Sequence, residues 1–171
     1  MMKKITIPLV LGSLFLIVGL AYGNKQQEYP SPDGKYIAYV IALPKAPYGC
    51  GESEIIIRTK KGKILCSKNY GSEDGEHGFG VERAAWTPDS KFFIYSMSSS
   101  GGHQAWHFPT DFIAVSDFKI RSLDNYLGLV TDPDFELTAP DIIRITGRRI
   151  DNLLNETRFE INLNKLIEKD K

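Results

Sequence analysis

The sequence predicts an all-β protein made of small antiparallel sheets that stack beside one another. Three observations carry that prediction. A ten-residue phrase occurs twice, as SPDGKYIAYV at residues 31–40 and as TPDSKFFIYS at residues 87–96. Short runs of β-branched and aromatic residues alternate with Gly, Pro, Asn and Asp along the chain, as strands do with turns. No stretch has the 3.6-residue apolar period of a long amphipathic helix.

The repeated phrase has a physical reading. Pro32 presets φ at the first corner of a turn, and Asp33 can hydrogen-bond its own backbone. Gly34 supplies a left-handed position, after which Lys35 starts an extended run suited to a buried strand. The second copy has Ser90 where the first has Gly34, so a less left-handed turn is expected there.

With their Pro-Asp-Gly-Lys and Pro-Asp-Ser-Lys turns ahead of a strand, the two copies resemble the TolB-like β-propeller repeats. The resemblance implies blade-like four-stranded sheets. It covers about twenty residues and implies little about function. The copies start 56 residues apart, more than the roughly 40–45 of comparable blades, so the loops between them are long. A chain of this length holds at most about three blades, whereas closed propellers have about 4–8. The expectation is an incomplete propeller of two to three blades, whose open faces are capped by residues from 152 onward or covered by a protein partner or a second copy.

At 171 residues the chain fits one domain with a real core. Lys3 and Lys4 precede an apolar run over residues 5–20, and Ala21 and Gly23 put small residues at the −3 and −1 positions of a cleavage site. This is the pattern of a bacterial secretory signal, predicting export to the periplasm or medium, with residues 24–171 as the single domain. The run is near the lower length limit for a span, so an uncleaved anchor is the competing reading and the one route to a membrane. Acidic and basic residues balance at 21 each, and pI is near 6.8. A nucleic-acid binder would usually be strongly basic, so that class is set aside.

In order, residues 24–29 read as a polar lead-in and 35–43 as the first strand. Ile55, Ile56 and Ile57 form a β-branched run suited to a strand covered on both faces. Lys60-Lys61-Gly62 turns it back through residues 64–67 as a three-residue hairpin. Residues 69–80 contain four glycines and read as a long loop. Residues 81–86 and 91–97 read as strands, 98–110 as a second Gly/Ser loop, and 111–115 with 119–121 as a strand pair. Residues 123–130 are ambiguous, 131–140 are acidic and Pro-bounded, and 142–146 and 157–163 alternate like strands. The tail from Asn164 reads as a helical turn or a frayed end.

Cys50 and Cys66 sit in a chain bound for an oxidising compartment, which favours a disulfide. Against it, the hairpin register places Ile56 opposite Cys66 and leaves Cys50 six residues further along. A bridge across about 16 residues would contribute roughly 3 kcal/mol. Both readings stand at this point.

Three sets of residues are candidate sites. His77, His103 and His107 lie in or beside the glycine-rich loops and form a candidate zinc set with Glu73 or Glu76 nearby, although no His-Glu-x-x-His helix accompanies them. Trp106 and His103 offer flat faces for a sugar or peptide, the alternative being that Trp106 and Phe108 tuck under the loop as plugs. Asp132, Asp134, Glu136 and Asp141 are a candidate calcium cluster without the EF-hand frame, and read more naturally as turn chemistry. Ser98 to Ser100 lie near His103, but no nucleophile elbow surrounds them.

The sequence thus predicts an exported, non-enzymatic β module with no cofactor that binds protein or envelope components. The alternatives are a metal-binding protein or small metal-dependent hydrolase using the histidines, and a carbohydrate-binding module centred on Trp106.

Overall fold

A computed structural model describes residues 25–44 and 51–168. The expected signal segment at residues 1–23, and Cys50 with its bridge to Cys66, fall outside the described residues.

The chain forms three antiparallel sheets in sequence order. The first contains β1 (Gln26–Pro30), β2 (Tyr36–Ala42), β3 (Ser53–Thr59) and β4 (Ile64–Asn69). The second contains β5 (Phe79–Trp86), β6 (Phe92–Ser99), β7 (Thr110–Ala114) and β8 (Ile120–Ser122). After a one-turn helix α1 (Asp124–Leu127) comes the third, with β9 (Gly128–Thr138), β10 (Ile142–Arg149) and β11 (Asn152–Asn162). Helix α2 (Leu163–Glu168) follows. Each sheet is a meander, as expected of blades. The third has three strands where the others have four, and β11 is its edge.

The two phrases fold into the same turn. Ser31 N–H donates to Tyr36 O at 2.9 Å, and Thr87 N–H to Phe92 O at 2.9 Å. In each copy the hydroxyl donates to the turn Asp at 2.7 Å, and that Asp accepts the Lys N–H at 3.1 Å. The expectation of a less left-handed second turn is corrected: φ is +63° at Ser90 and +69° at Gly34. Ser90 is buried and its Oγ accepts Asp33 N–H at 3.0 Å, so a bond between blades offsets the cost of a non-glycine residue there. A third, divergent turn at Pro140-Asp141 joins the row, since Asp89 N–H points to Pro140 O at 3.4 Å. Asp141 is fully buried and accepts from Asn162 Nδ2 (2.9 Å), Asn164 N–H (3.0 Å) and Asn164 Nδ2 (2.6 Å), which fixes the start of α2.

Alternation along β6 explains the packing. Phe93, Tyr95 and Met97 face the first sheet with Ala38, Val40, Ile55, Ile57 and Trp86. Phe92 and Ile94 face the third with Val130, Phe135, Ile143 and Ile145, where α2 adds Leu163 and Leu166. The second sheet therefore packs between the other two, with a core on each of its faces.

Three element assignments are corrected. Residues 26–30 are a strand, because five successive pairs to β2 satisfy their backbone although their side chains are mostly exposed. Cys66 pairs with Ile57, not Ile56, because a bulge at Leu65 separates the Arg58–Ile64 pair from the Ile57–Cys66 pair. Residues 131–138 belong to β9, and Pro133 is accommodated where the register jumps between the Ile145–Phe135 and Gly147–Val130 pairs.

Candidate functional site

The two glycine-rich loops, far apart in sequence, pack against each other. Their knot is Glu52, at the entry to β3, which is 4% exposed. It accepts Ser72 N–H at 2.8 Å, Ser72 Oγ at 2.5 Å, Gly78 N–H at 2.8 Å and Ser100 Oγ at 2.9 Å. Burial pushes its pKa up, but these hydrogen bonds outweigh burial and leave it below the usual value. Gly78 has to be glycine, since a Cβ there would stand 2.2 Å from Tyr70 O. At Gly101 a Cβ would stand 2.3 Å from Glu76 O. Close backbone approach at these two points brings the histidines together.

His77, His103 and His107 line one surface hollow of about 270 Å³ with Phe79, Ser99, Gln104 and Pro109. The rings of His77 and His103 stack with centroids 5.9 Å apart. His77 Nδ1 is 2.5 Å from Asp74 Oδ2, and His107 Nε2 is 2.8 Å from Asp124 Oδ1. Asp74 titrates at about 2, held down by the Glu76 N–H first, then by the Ser72 hydroxyl and His77. Each Asp orients an imidazole as it would for general base catalysis.

The nucleophile is missing among the described residues: no hydroxyl or thiol bonds to an imidazole. Ser98 Oγ donates to Glu82 and Ser100 Oγ to Glu52. Among the described residues no three His, Cys, Asp or Glu side chains are grouped to hold a metal ion. The His107 and Asp124 side chains are both largely buried, and Asp124 is further committed to Thr110 N–H and Val130 N–H at 3.1 Å each.

The plug reading of residues 101–108 holds for one aromatic and fails for the other. Phe108 packs against the core between the second and third sheets. Trp106 is 47% exposed, with the Arg148 guanidinium 5.7 Å from its ring centroid and His107 at 5.9 Å. It lies outside because Phe108, not Trp106, follows the strand into the core. His103 faces the hollow beside it.

The acidic cluster does not assemble. Asp132, Asp134 and Glu136 line a hollow of about 320 Å³, but Arg83, Arg144 and Arg158 line it too. Asp141 is elsewhere, under α2. Turn chemistry is visible instead, with Asp134 N–H donating to Asp132 Oδ1 at 2.9 Å.

Sequence reading missed two buried polar groups, Glu52 and the Tyr70–Tyr95–Asp111 cluster. Tyr70 Oη lies 2.7 Å from Tyr95 Oη and donates to Asp111 Oδ2 at 2.6 Å. Burial raises the Asp111 pKa despite that bond, and raises both tyrosines. No motif marks either group. Cys66 is half-buried in β4, and burial raises its thiol pKa.

No family model matches the sequence, and no curated protein matches it. Among solved structures the chain is similar to a mutant puromycin hydrolase complexed with PGG, with a TM-score of 0.42 and 14% identity. The match covers 81% of this chain and 20% of that one, so the chain spans about a fifth of that protein's length. So loose a likeness carries no argument about activity, and the blade-like fold is defined by the three sheets themselves.

Proposed function

We propose that the protein is an exported, non-enzymatic β module, an incomplete propeller of the kind its TolB-like turns suggest, which acts through protein contacts in the bacterial envelope. The supporting observation is the tip of the β10–β11 hairpin. Ile150 is 70% exposed, Leu153 48% and Leu154 92%. They sit beside the outer edge of β11, which pairs with β10 alone. Apolar side chains clustered next to an unpaired strand edge mark a contact surface. The test places a photo-crosslinking residue at Leu154 in the native host, with exposed Lys61 as the control position. A discrete adduct from position 154 and none from position 61 is expected. No adduct at 154 would overturn the reading.

A second reading has its own observation. Trp106 is half exposed between Arg148 and the histidine hollow, an arrangement on which a sugar ring could stack. It requires that glycans quench tryptophan fluorescence and that Trp106→Ala abolish the quenching. Quenching that survives the substitution would count against it.

A further inference from the structure

The outer face of the first sheet is a second, independent surface. Successive residues on strands alternate between faces, and the core takes Ala38, Val40, Ile55 and Ile57. The opposite face therefore carries Ile37, Tyr39 and Ile41 from β2, and Glu54, Ile56 and Arg58 from β3. Ile56 is 7% exposed yet belongs to neither core cluster, and Ile37, Tyr39 and Ile41 pack into neither. Ile64, opposite Arg58, is 53% exposed.

The pairing register arranges these residues in three rows across β2, β3 and β4. They are Ile41–Glu54–Asn69, Tyr39–Ile56–Ser67 and Ile37–Arg58–Ile64. Glu54 and Arg58 flank Ile56 on the same strand face, separated by about 13 Å, too far to pair with each other. Among the described residues neither makes an ion pair. The Arg58 guanidinium lies over the Tyr39 ring at 5.3 Å, and its Nε is buried without a hydrogen-bond partner.

We propose that this face is a dimer interface whose occupant is the same face of a second copy of this chain. A two-fold axis along the Tyr39–Ile56–Ser67 row lays that row on itself and exchanges the two outer rows. Glu54 of each copy then meets Arg58 of the other, and Ile37 meets Ile41. The charge pattern is self-complementary under that operation, as an isologous interface requires. Glu28 on edge strand β1 pairs with Tyr39 and so lies at the end of the same row, at the rim, where solvent screens it from its own copy. The face measures about 19 by 23 Å from strand spacing and rise. That is the small end of interface sizes, so a weak, reversible association is expected.

Sedimentation equilibrium on the chain purified from an exporting host tests this, with circular dichroism to verify folding of each variant. The wild type is expected to dimerise reversibly. Glu54→Arg and Arg58→Glu should each weaken association by about tenfold or more, since two like-charge contacts replace two attractive ones. The double variant Glu54→Arg/Arg58→Glu should restore it. A wild type that stays monomeric at about 100 μM, as when another segment of the same chain covers the face, would overturn the proposal, and so would a dimer indifferent to both single changes. Crosslinking at Leu154 reports on the opposite end of the molecule, so failure of either reading is visible without the other.

Discussion

The two ends of the three-sheet stack are finished differently. On the third sheet the outward face is a lattice of opposite charges: Arg144–Glu160 at 2.7 Å and Arg148–Glu156 at 3.6 Å join β10 to β11, and Arg158–Glu136 at 2.8 Å spans β10 from β11 to β9. On the first sheet the equivalent positions hold Ile37, Tyr39, Ile41 and Ile56, with one acid and one base that do not meet. Every blade in a propeller has two neighbours, so a stack of three must end twice. This chain ends once with charge and once with an apolar sheet. The difference teaches that incompleteness in blade number is resolved locally, one face at a time.

The third sheet is held to the second partly through α2, so the largest effect is expected there. Leu163 is fully buried between the second and third sheets. Leu163→Ala should cost about 3 kcal/mol, read as a fall in the urea midpoint, because a buried leucine leaves a cavity when truncated. A loss under about 1 kcal/mol would mean that α2 does little to hold the third sheet to the second.

The first sheet is tied to the rest of the stack through Glu52. Its folded pKa lies below the ordinary value of 4.5, so its contribution is fully present above about pH 4.5 and is lost as pH falls through the folded value. Glu52→Gln should therefore destabilise by about 1–3 kcal/mol at pH 7 and much less at an acid pH below the folded value, where the wild-type carboxyl is itself protonated. Equal losses at both pH values would show that hydrogen-bond geometry, not charge, does the tying. Asp111 works in the opposite sense. With its pKa raised by burial, the folded state holds that proton more firmly, so this group's contribution declines as pH rises above about 3.8.

The row of turns gives a smaller and more discriminating pair. Ser90→Ala keeps the +63° backbone strain and strips Asp33 N–H of its acceptor, and should cost about 1–2 kcal/mol. Ser90→Gly also loses the bond but relieves the strain, and should fall within about 0.5 kcal/mol of wild type. Identical losses in thermal or urea melts would show that strain at this position has no energetic weight.

How much of this was legible depends on whether the signal was local. The two turns could be read because Pro, Asp and Gly act through their own backbone, and the alternation in β6 because burial on both faces leaves a solid apolar run. Strand β1 could not be read, since Gln26, Gln27 and Glu28 owe their extended form to pairing with β2 and not to their side chains. The third turn lacked a glycine and lysine, although Pro140-Asp141 ahead of an alternating Ile142–Arg149 segment was a usable hint. The bulge at Leu65 moved the hairpin register by one residue with no residue to announce it. In the candidate site, the fold sets the three histidines around one hollow, and the commitment of His107 to Asp124, 17 residues away, is a fact of the fold, whereas that of His77 to Asp74 is local. Nor could a linear reading tell that Trp106 stays outside while Phe108, two residues on, goes in.

The smallest effect should come from the charged face, and it is the control that sharpens the contrast between the two ends. Arg158 and Glu136 are about 60% exposed in a pair that bridges β11 and β9. Exposed pairs contribute little, because solvent screens them and holding two long side chains costs entropy. Glu136→Arg and Arg158→Glu should each leave the urea midpoint nearly unchanged and the molecular mass in sedimentation unchanged. The same charge reversals at Glu54 and Arg58 should alter that mass. If reversals on the third sheet shift the mass as much as those on the first, both ends associate, and the chain is a unit of an open filament rather than half of a closed dimer.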